Sequence, residues 1–334
     1  MPWHRFLIAL TALLAYLVSH SDAIISSTAY QPDNDPNYDG TGKSTGRANF
    51  TFEELYKYQV RFWENFVNNN TDQANSINST LIASDCLGRV DATRTFDGQE
   101  LNTEYLFGLF ANLKTSNTPT ILGVPVSYNI IHFTANQDIS TAATVVFFHN
   151  AFMGVFPVEI DSWILWNQAG QIRQYDATYR WFGNLLDATL ALAANSSATQ
   201  DAEEDKRNNN DDDTDHVTSI TESLATSICT TTQTYCNGTN AQYASFNACY
   251  TTLTQQKRFG KAYELGADTL LCRLVHQNMV ALRPAVHCPH VGPTGGGMCV
   301  DDLHYAERVL QKYFVHAPFL PEGYESGNAS IDAW

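Results

Sequence analysis

The sequence has few basic residues for its length. Its 334 residues include 19 Lys and Arg against 35 Asp and Glu, and the formal net charge is −16 at pH 7. Nucleic acids and anionic lipid surfaces attract Lys and Arg, and repel a strongly acidic protein. The composition therefore excludes nucleic acid as an expected partner and indicates a protein kept soluble by its negative charge.

The sequence also lacks an apolar run long enough for a membrane span. Its most apolar stretch, Phe6 to Val18, has about 13 residues, whereas a transmembrane helix needs about 20. The basic Arg5 precedes this stretch and the small residues Ser21 and Ala23 follow it, as in a cleaved signal peptide. An uncleaved membrane anchor is the alternative. The C-terminal sequence GNASIDAW has no hydrophobic tail for a GPI anchor. We expect residues 1–23 to be a signal peptide and the protein to be secreted, extracellular and without a membrane contact in its mature form.

Two further features are typical of the secretory route. Glycosylation sequons of the form Asn-X-Ser/Thr occur at Asn49, Asn69, Asn78, Asn195, Asn237 and Asn328. Clustered cysteines predict a disulfide framework in an oxidising compartment, and the candidates are Cys229, Cys236, Cys249, Cys272, Cys288 and Cys299. Their pairing stays open, because spacing alone does not choose among the possible connectivities. The remaining cysteine, Cys86, is expected to be a buried thiol.

Composition divides the rest of the chain into four parts. Residues 24–48 are polar and are expected to form a flexible leader. Residues 199–215, TQDAEEDKRNNNDDDTD, are almost wholly polar and predict an acidic disordered linker between a domain at 49–198 and a helical cysteine-rich region at 216–334. Within that last region, the Pro- and Gly-rich residues 284–297 are expected to form an irregular loop.

The periodicity of apolar residues changes within residues 49–198. Phe52, Leu55, Phe62 and Phe66 recur at helical spacing. We expect a second helix over 74–83, a short strand over 87–92, and a helix beginning near Gly98. Four runs rich in Val, Ile, Phe, Tyr and Trp then follow, separated by turn residues, and predict antiparallel strands.

This order of elements resembles the NTF2-like, or SnoaL-like, family. The resemblance rests on Phe52 to Phe66, on Gly98 to Phe110, and on SWILWNQAGQIRQYDATY at residues 162–179. In the last segment, the residues that match the family's run are Trp166, Gly170, Ile172, Tyr175 and Asp176. The resemblance covers residues 49–182 and implies an α+β cone, a curved antiparallel sheet with N-terminal helices around one pocket. A cysteine-rich tail after such a domain is similar to secreted fungal proteins.

The resemblance implies a ligand inside the cone and an Asp or His as general acid or base in the family's enzymes. His149, Asp161 and Asp176 interrupt apolar strand runs and are the candidate catalytic residues. The candidate ligand-pocket residues are His132, Trp163, Tyr175 and Asp91. Strand alternation puts Val145, Phe147 and His149 on one face, but does not say which face is inside. Alternatively, the histidines are structural or at the rim, the aromatic residues belong to the core, and Asp161 and Asp176 cap turns or pair with Arg173 or Arg180.

Two functions are compatible with this pattern. The first is a pocket domain that binds a small hydrophobic molecule without catalysis, because the sequence contains no recognisable set of catalytic residues. The second is a SnoaL-like lyase, isomerase or cyclase that uses acid/base catalysis on a small metabolite. Replacing the candidate acids and assaying metabolite turnover separates them.

The tail also contains residue types that bind metals. His287 and His290 flank Cys288 and Pro289, and His276 lies further upstream. Neither CxxC pairs nor HExxH occurs, and cysteines oxidised to disulfides do not act as thiolate ligands. The glycines lack the Lys-Ser/Thr of a P-loop, and no GxSxG nucleophile motif occurs. We therefore expect no metal and no cofactor, with the histidines hydrogen-bonded inside a stapled loop.

Overall fold

The computed structural model describes residues 49–113, 119–151, 153–201, 212–302 and 304–310. The expected signal peptide and leader, and the sequon at Asn328, lie outside these residues. So does the side chain of Asn195. Among the described residues, none of the helices combines the length and apolarity needed to cross a membrane.

The described chain has an N-terminal α+β half and a helical C-terminal half. The strands are β1 (Ile82–Val90), β2 (Thr95–Asp97), β3 (Val124–Asn136), β4 (Ile139–Asn150), β5 (Gly154–Trp166) and β6 (Ile172–Tyr179). The helices are α1 (Phe52–Asn68), α2 (Asn70–Asn75), α3 (Gln99–Leu106), α4 (Phe182–Asp201), α5 (Asp212–Tyr235), α6 (Phe246–Thr251), α7 (Leu270–Val280), α8 (Pro284–Val291) and α9 (Tyr305–Leu310).

The strands form a sheet in the order β2-β1-β6-β5-β4-β3. Neighbouring strands are antiparallel except β1 and β6, which pair in parallel. Bulges interrupt the register of β3 on β4 and of β5 on β6, and a bulge increases the local bend and twist of a sheet. The predicted fold class, a curved sheet with N-terminal helices followed by a helical, disulfide-bonded region, is confirmed.

Helix α1 is positioned by its capping residue and by its apolar face. The Thr51 side chain accepts the N–H of Glu54, and the Glu54 carboxylate accepts the N–H of Thr51 in return. Such a capping box satisfies two N–H groups that the first turn leaves unpaired. Leu55, Phe62 and Phe66 are then buried on one face of the helix, against the sheet. The cone is closed from this side.

The C-terminal half has a core of its own, which three disulfides cross. The bridges are Cys229–Cys249, Cys236–Cys288 and Cys272–Cys299, so the prediction of six paired cysteines is confirmed. Cys86 is free and fully buried, as expected. Burial raises the pKa of its thiol, which keeps the thiol protonated and inert.

The first elements differ from the prediction. The second helix covers Asn70–Asn75 rather than 74–83, and the first strand covers Ile82–Val90 rather than 87–92. Residues 82 and 87–90 pair with β6 in parallel, a contact between segments about 90 residues apart that local periodicity does not report. Tertiary pairing therefore overrides the helical preference of this segment.

Two further segments are more helical than expected. Helix α4 continues to Asp201 and α5 begins at Asp212, inside the expected linker at 199–215, while residues 202–211 lie outside the described chain. The expected loop at 284–297 begins as α8, because Pro284 occupies the first turn, where a missing N–H has no cost.

Candidate ligand pocket

A cavity of about 120 Å³ lies between helix α1 and the inner face of the sheet. Phe62, Trp63 and Phe66 of α1 line one side of it. Opposite them are side chains of β5 and β6, and Leu274 and Val275 of α7 close it from the C-terminal half. Both halves of the chain therefore contribute to one cavity.

The register of β5 on β6 decides which side chains face this cavity. Ile160 lies opposite Tyr179, Ser162 opposite Ala177, and Ile164 opposite Tyr175. Residues directly opposite each other in an antiparallel pair point to the same face of the sheet. These residues all line the cavity: Ile160, Ser162, Ile164, Tyr175, Ala177 and Tyr179.

The lining is apolar and aromatic, with a few hydroxyl groups. The described lining residues include no carboxylate, imidazole or amine. Its polar side chains are those of Ser, Thr and Tyr. An apolar cavity of about 150 Å³ is known to hold one benzene molecule, so the volume here suits about one aromatic ring. The arrangement can bind an apolar group and offer hydroxyls to a polar substituent.

Two of the tyrosine hydroxyls remain protonated at neutral pH. Burial raises the pKa of Tyr105, and burial together with the nearby Asp91 raises the pKa of Tyr179. Both hydroxyls can therefore donate hydrogen bonds, but neither acts as a base near neutrality. The Tyr105 hydroxyl also lies 2.9 Å from His276 Nε2, behind the cavity wall.

The candidate catalytic residues lie on the opposite face of the sheet. His149 is exposed. Arg180 Nε donates to Asp161 at 3.1 Å, and Arg89 Nε donates to Asp176 at 3.0 Å. Strand alternation puts all three away from the cavity-facing residues, which corrects the expectation that they enter the pocket. Asp161 instead pairs with Arg180, which is the alternative that the sequence analysis names for this residue.

The candidate pocket residues are divided by the same alternation. Tyr175 lines the cavity. His132 lies opposite Ala143 on the outer face and is exposed, and Trp163 is 47% exposed there. Asp91 is exposed just after β1 and accepts the N–H of Tyr179, so it does not line the cavity either. Of the four, the structure places only Tyr175 in the pocket.

Sequence reasoning missed several residues of the pocket wall. Trp63 and Tyr105 belong to predicted helices, but their direction toward a cavity depends on how the helices pack. Leu274 and Val275 lie beyond the expected linker, and no local pattern connects them to the sheet. Only information about contacts between distant segments could have identified these residues.

Four of the sequon asparagines are described with their side chains. Asn49, Asn69, Asn78 and Asn237 are all exposed. Asn49 Nδ2 donates to Asp138 at 2.6 Å, and Asn237 Nδ2 donates to the carbonyl of Thr234 at 3.0 Å. Their positions permit glycosylation, which stays a prediction.

Comparison with known proteins gives two matching family models. Residues 60–177 match the BfoA N-terminal domain, and residues 181–302 match the BfoA family C-terminal domain. The "Bifonsecin B biosynthesis cluster protein A" of Aspergillus brasiliensis is 49% identical over 272 residues, 80% of this chain and 86% of that protein. The "Aurasperone B biosynthesis cluster protein A" of Aspergillus niger is 49% identical over 278 residues, 82% of this chain and 86% of that protein.

Solved structures resemble part of the chain more distantly. An LEH-like epoxide hydrolase of Mycobacterium tuberculosis is 12% identical, with a TM-score of 0.32, covering 43% of this chain and 98% of that chain. A SnoaL-like polyketide cyclase of a Jannaschia species is 10% identical, with a TM-score of 0.32, covering 43% of this chain and 94% of that chain. At these values the likeness says nothing about chemistry.

Proposed function

Because this chain belongs to the BfoA family, we propose that it acts in the biosynthesis of a small metabolite and binds that metabolite, or a precursor, in the apolar pocket. The relatives are named for the biosynthesis clusters of bifonsecin B and aurasperone B. The observation that carries the proposal is the cavity between α1, β5 and β6, which is lined by aromatic and apolar residues. A ligand with an aromatic or otherwise apolar group fits it best.

Binding without catalysis is favoured by the lining itself. General acid/base catalysis needs a group that gains or loses a proton near neutral pH, within hydrogen-bond reach of the substrate. The described lining residues offer hydroxyls only, and burial raises the pKa of two of them. The protein would then carry or protect an intermediate rather than convert it.

A SnoaL-like lyase, isomerase or cyclase is the second candidate. One contact favours it: Tyr105 lines the cavity, and its hydroxyl lies 2.9 Å from His276 Nε2. Through this contact a proton could pass between the pocket and a buried imidazole. If purified protein converts a pathway intermediate and Tyr105→Phe abolishes the conversion, catalysis is the function and binding is a step of it.

Filling the cavity is expected to abolish ligand binding. Leu109 lines the pocket, so Leu109→Trp occupies the space that a ring would take. We expect the wild-type protein to bind 4-methylphenol with one site per chain, measured by isothermal titration calorimetry. Leu109→Trp should weaken this affinity by at least about tenfold, a loss of about 1.4 kcal/mol.

The matched control is Leu192→Trp, the same substitution at an exposed position of α4 outside the lining. This variant should bind as the wild type does. Equal affinities for the wild type and Leu109→Trp would rule out the cavity as the binding site.

We also propose that the protein is exported and N-glycosylated. This proposal is supported by the signal-peptide pattern, by the exposure of Asn69, Asn78 and Asn237, and by three cysteine pairs at bonding distance. An epitope-tagged chain expressed in Aspergillus should be found in the culture medium with a new N-terminus near residue 24. Treatment with peptide N-glycosidase F should lower its mass. Recovery only from inside the cells, with an intact N-terminus and unchanged mass, would contradict export.

A further inference from the structure

Three histidines converge in the C-terminal half, away from the pocket lining. His276 belongs to α7, and His287 and His290 belong to α8. Their ligating nitrogen atoms all lie within 4.8 Å of one another. The side chains are almost fully buried, with exposed fractions of 0%, 1% and 6%. Polar rings are rarely collected in a protein interior without a partner that they share.

Helix geometry and two disulfides bring these rings together. His287 and His290 are three residues apart and therefore lie on the same face of α8. Between them, Cys288 is bonded to Cys236. On α7, Cys272 lies one turn before His276 and is bonded to Cys299. Both helices that carry the histidines are thus covalently anchored, which preorganises the cluster.

The spacing of the nitrogens suits a small metal ion. His287 Nδ1 and His290 Nδ1 are 3.3 Å apart. When two imidazole nitrogens bind a tetrahedral zinc ion at about 2.0–2.1 Å, they lie about 3.3 Å from each other. The two nitrogens are also within hydrogen-bonding distance of each other.

Three buried atoms at the cluster have no hydrogen-bond partner among the described residues. They are Nδ1 of His276, Nε2 of His287 and Oε2 of Glu104. Glu104 is 4% exposed, and its other oxygen, Oε1, lies 3.2 Å from His287 Nε2. Buried polar atoms are nearly always satisfied, and the exceptions point to a bound ion or water.

Two of the three rings have their other nitrogen close to a polar group, as histidines do in metal sites. The Tyr105 hydroxyl lies 2.9 Å from His276 Nε2. The Glu104 carboxylate is at ion-pair distance from His287 Nε2, although the angle is not that of a hydrogen bond. Metal-binding histidines usually direct the second nitrogen to a carboxylate or another polar group, which orients the ring.

We propose that His276, His287 and His290 bind a divalent transition-metal ion of the zinc type, with Glu104 as the adjacent carboxylate. Imidazole-rich sets suit zinc and copper rather than calcium or magnesium. The cysteines of this region cannot serve, because all of them are in disulfides. The near-complete burial indicates a structural ion that joins α7 to α8. Tyr105 then connects the ion's ligand shell to the pocket wall.

The test is metal analysis of the secreted full-length chain, produced without a polyhistidine tag in zinc-supplemented medium. Mass spectrometry of the metals should find about one zinc per chain after dialysis. His290→Gln should lose this zinc, and Glu104→Gln should weaken zinc affinity by about 10–100-fold. Chelation by EDTA should lower the Tm of the wild type, and added Zn²⁺ should restore it.

The matched control is His149→Gln, which removes an exposed histidine on the sheet and should keep one zinc per chain. If His290→Gln does not fold, the wild type loaded with Co²⁺ still decides, because a nitrogen-rich tetrahedral site gives visible d–d bands. A wild-type chain without zinc, whose Tm Zn²⁺ does not change, overturns the proposal. Equal zinc loss in His149→Gln overturns it as well.

Discussion

Replacing Cys236 and Cys288 together by alanine is expected to lower the free energy of unfolding by about 4 kcal/mol. This disulfide spans 52 residues, the longest separation of the three bridges. A bridge stabilises mainly by reducing the entropy of the unfolded chain, and the effect grows with the length of the closed loop. Urea unfolding followed by circular dichroism measures the loss.

A bridge that closes a shorter loop tests whether the loss of stability depends on loop length. Cys229 and Cys249 are 20 residues apart, and their joint replacement should cost about 3 kcal/mol on the same grounds. The control is Cys86→Ala, which removes a buried sulfur without a bridge and should cost about 1 kcal/mol. A loss no larger for Cys236 and Cys288 than for Cys86 would mean that this bridge does not constrain the chain.

Arg273→Met is expected to cost about 3–5 kcal/mol, since it breaks a buried charged network. The Arg273 side chain is 0% exposed. It pairs with Asp268 at 2.6 Å and donates to three backbone carbonyls, those of Thr269, Gly292 and Pro293. Methionine fills part of the volume but donates nothing, so these buried carbonyls lose their partner.

The consequences should be local as well as global. Gly292 and Pro293 directly follow α8, so the variant should also increase hydrogen exchange in α8. In the variant, Asp268 still pairs with Lys257 at 2.7 Å. This remaining ion pair limits the loss of stability that results when the Asp268 carboxylate loses Arg273. Thermal and urea unfolding measure the stability, and hydrogen exchange with mass spectrometry locates the change.

Arg258→Met is the matched control. Arg258 pairs with Glu264 at 2.6 Å and with Asp301 at 2.8 Å, but its side chain is 51% exposed. Exposed ion pairs contribute little because water screens them, so this substitution should cost less than about 1 kcal/mol. If Arg273→Met and Arg258→Met lower the free energy of unfolding equally, the larger effect expected from burial of Arg273 is wrong.

The fold class was predictable because it depends on local patterns. Phe52, Leu55, Phe62 and Phe66 repeat at the period of a helix, and the runs of β5 and β6 repeat at the period of a strand. The six cysteines were predictable as bridged for a chemical reason, since thiols oxidise in a secretory compartment. Each inference uses a property of neighbouring residues or of the whole composition.

The choice of pocket residues was not predictable in the same way. Alternation separates Ile160 and Ser162 from Asp161, but both faces of these strands carry apolar residues. The face that becomes the interior depends on where α1 packs, and this is a contact between distant segments. His149, Asp161 and Asp176 were therefore placed in the pocket without a signal for the face.

The histidine cluster shows most clearly what the sequence determines and what only the tertiary structure decides. The sequence determined that residues 287–290 contain two histidines three residues apart, and it predicted that the cysteine between them would be bridged. Only the tertiary structure brought His276 from α7 and Glu104 from α3 beside them, about 10 and 180 residues away along the chain. Periodicity and composition act over a few residues, whereas a buried polar cluster forms where separate helices pack. The order of elements therefore follows from the sequence, and the two candidate sites follow from packing.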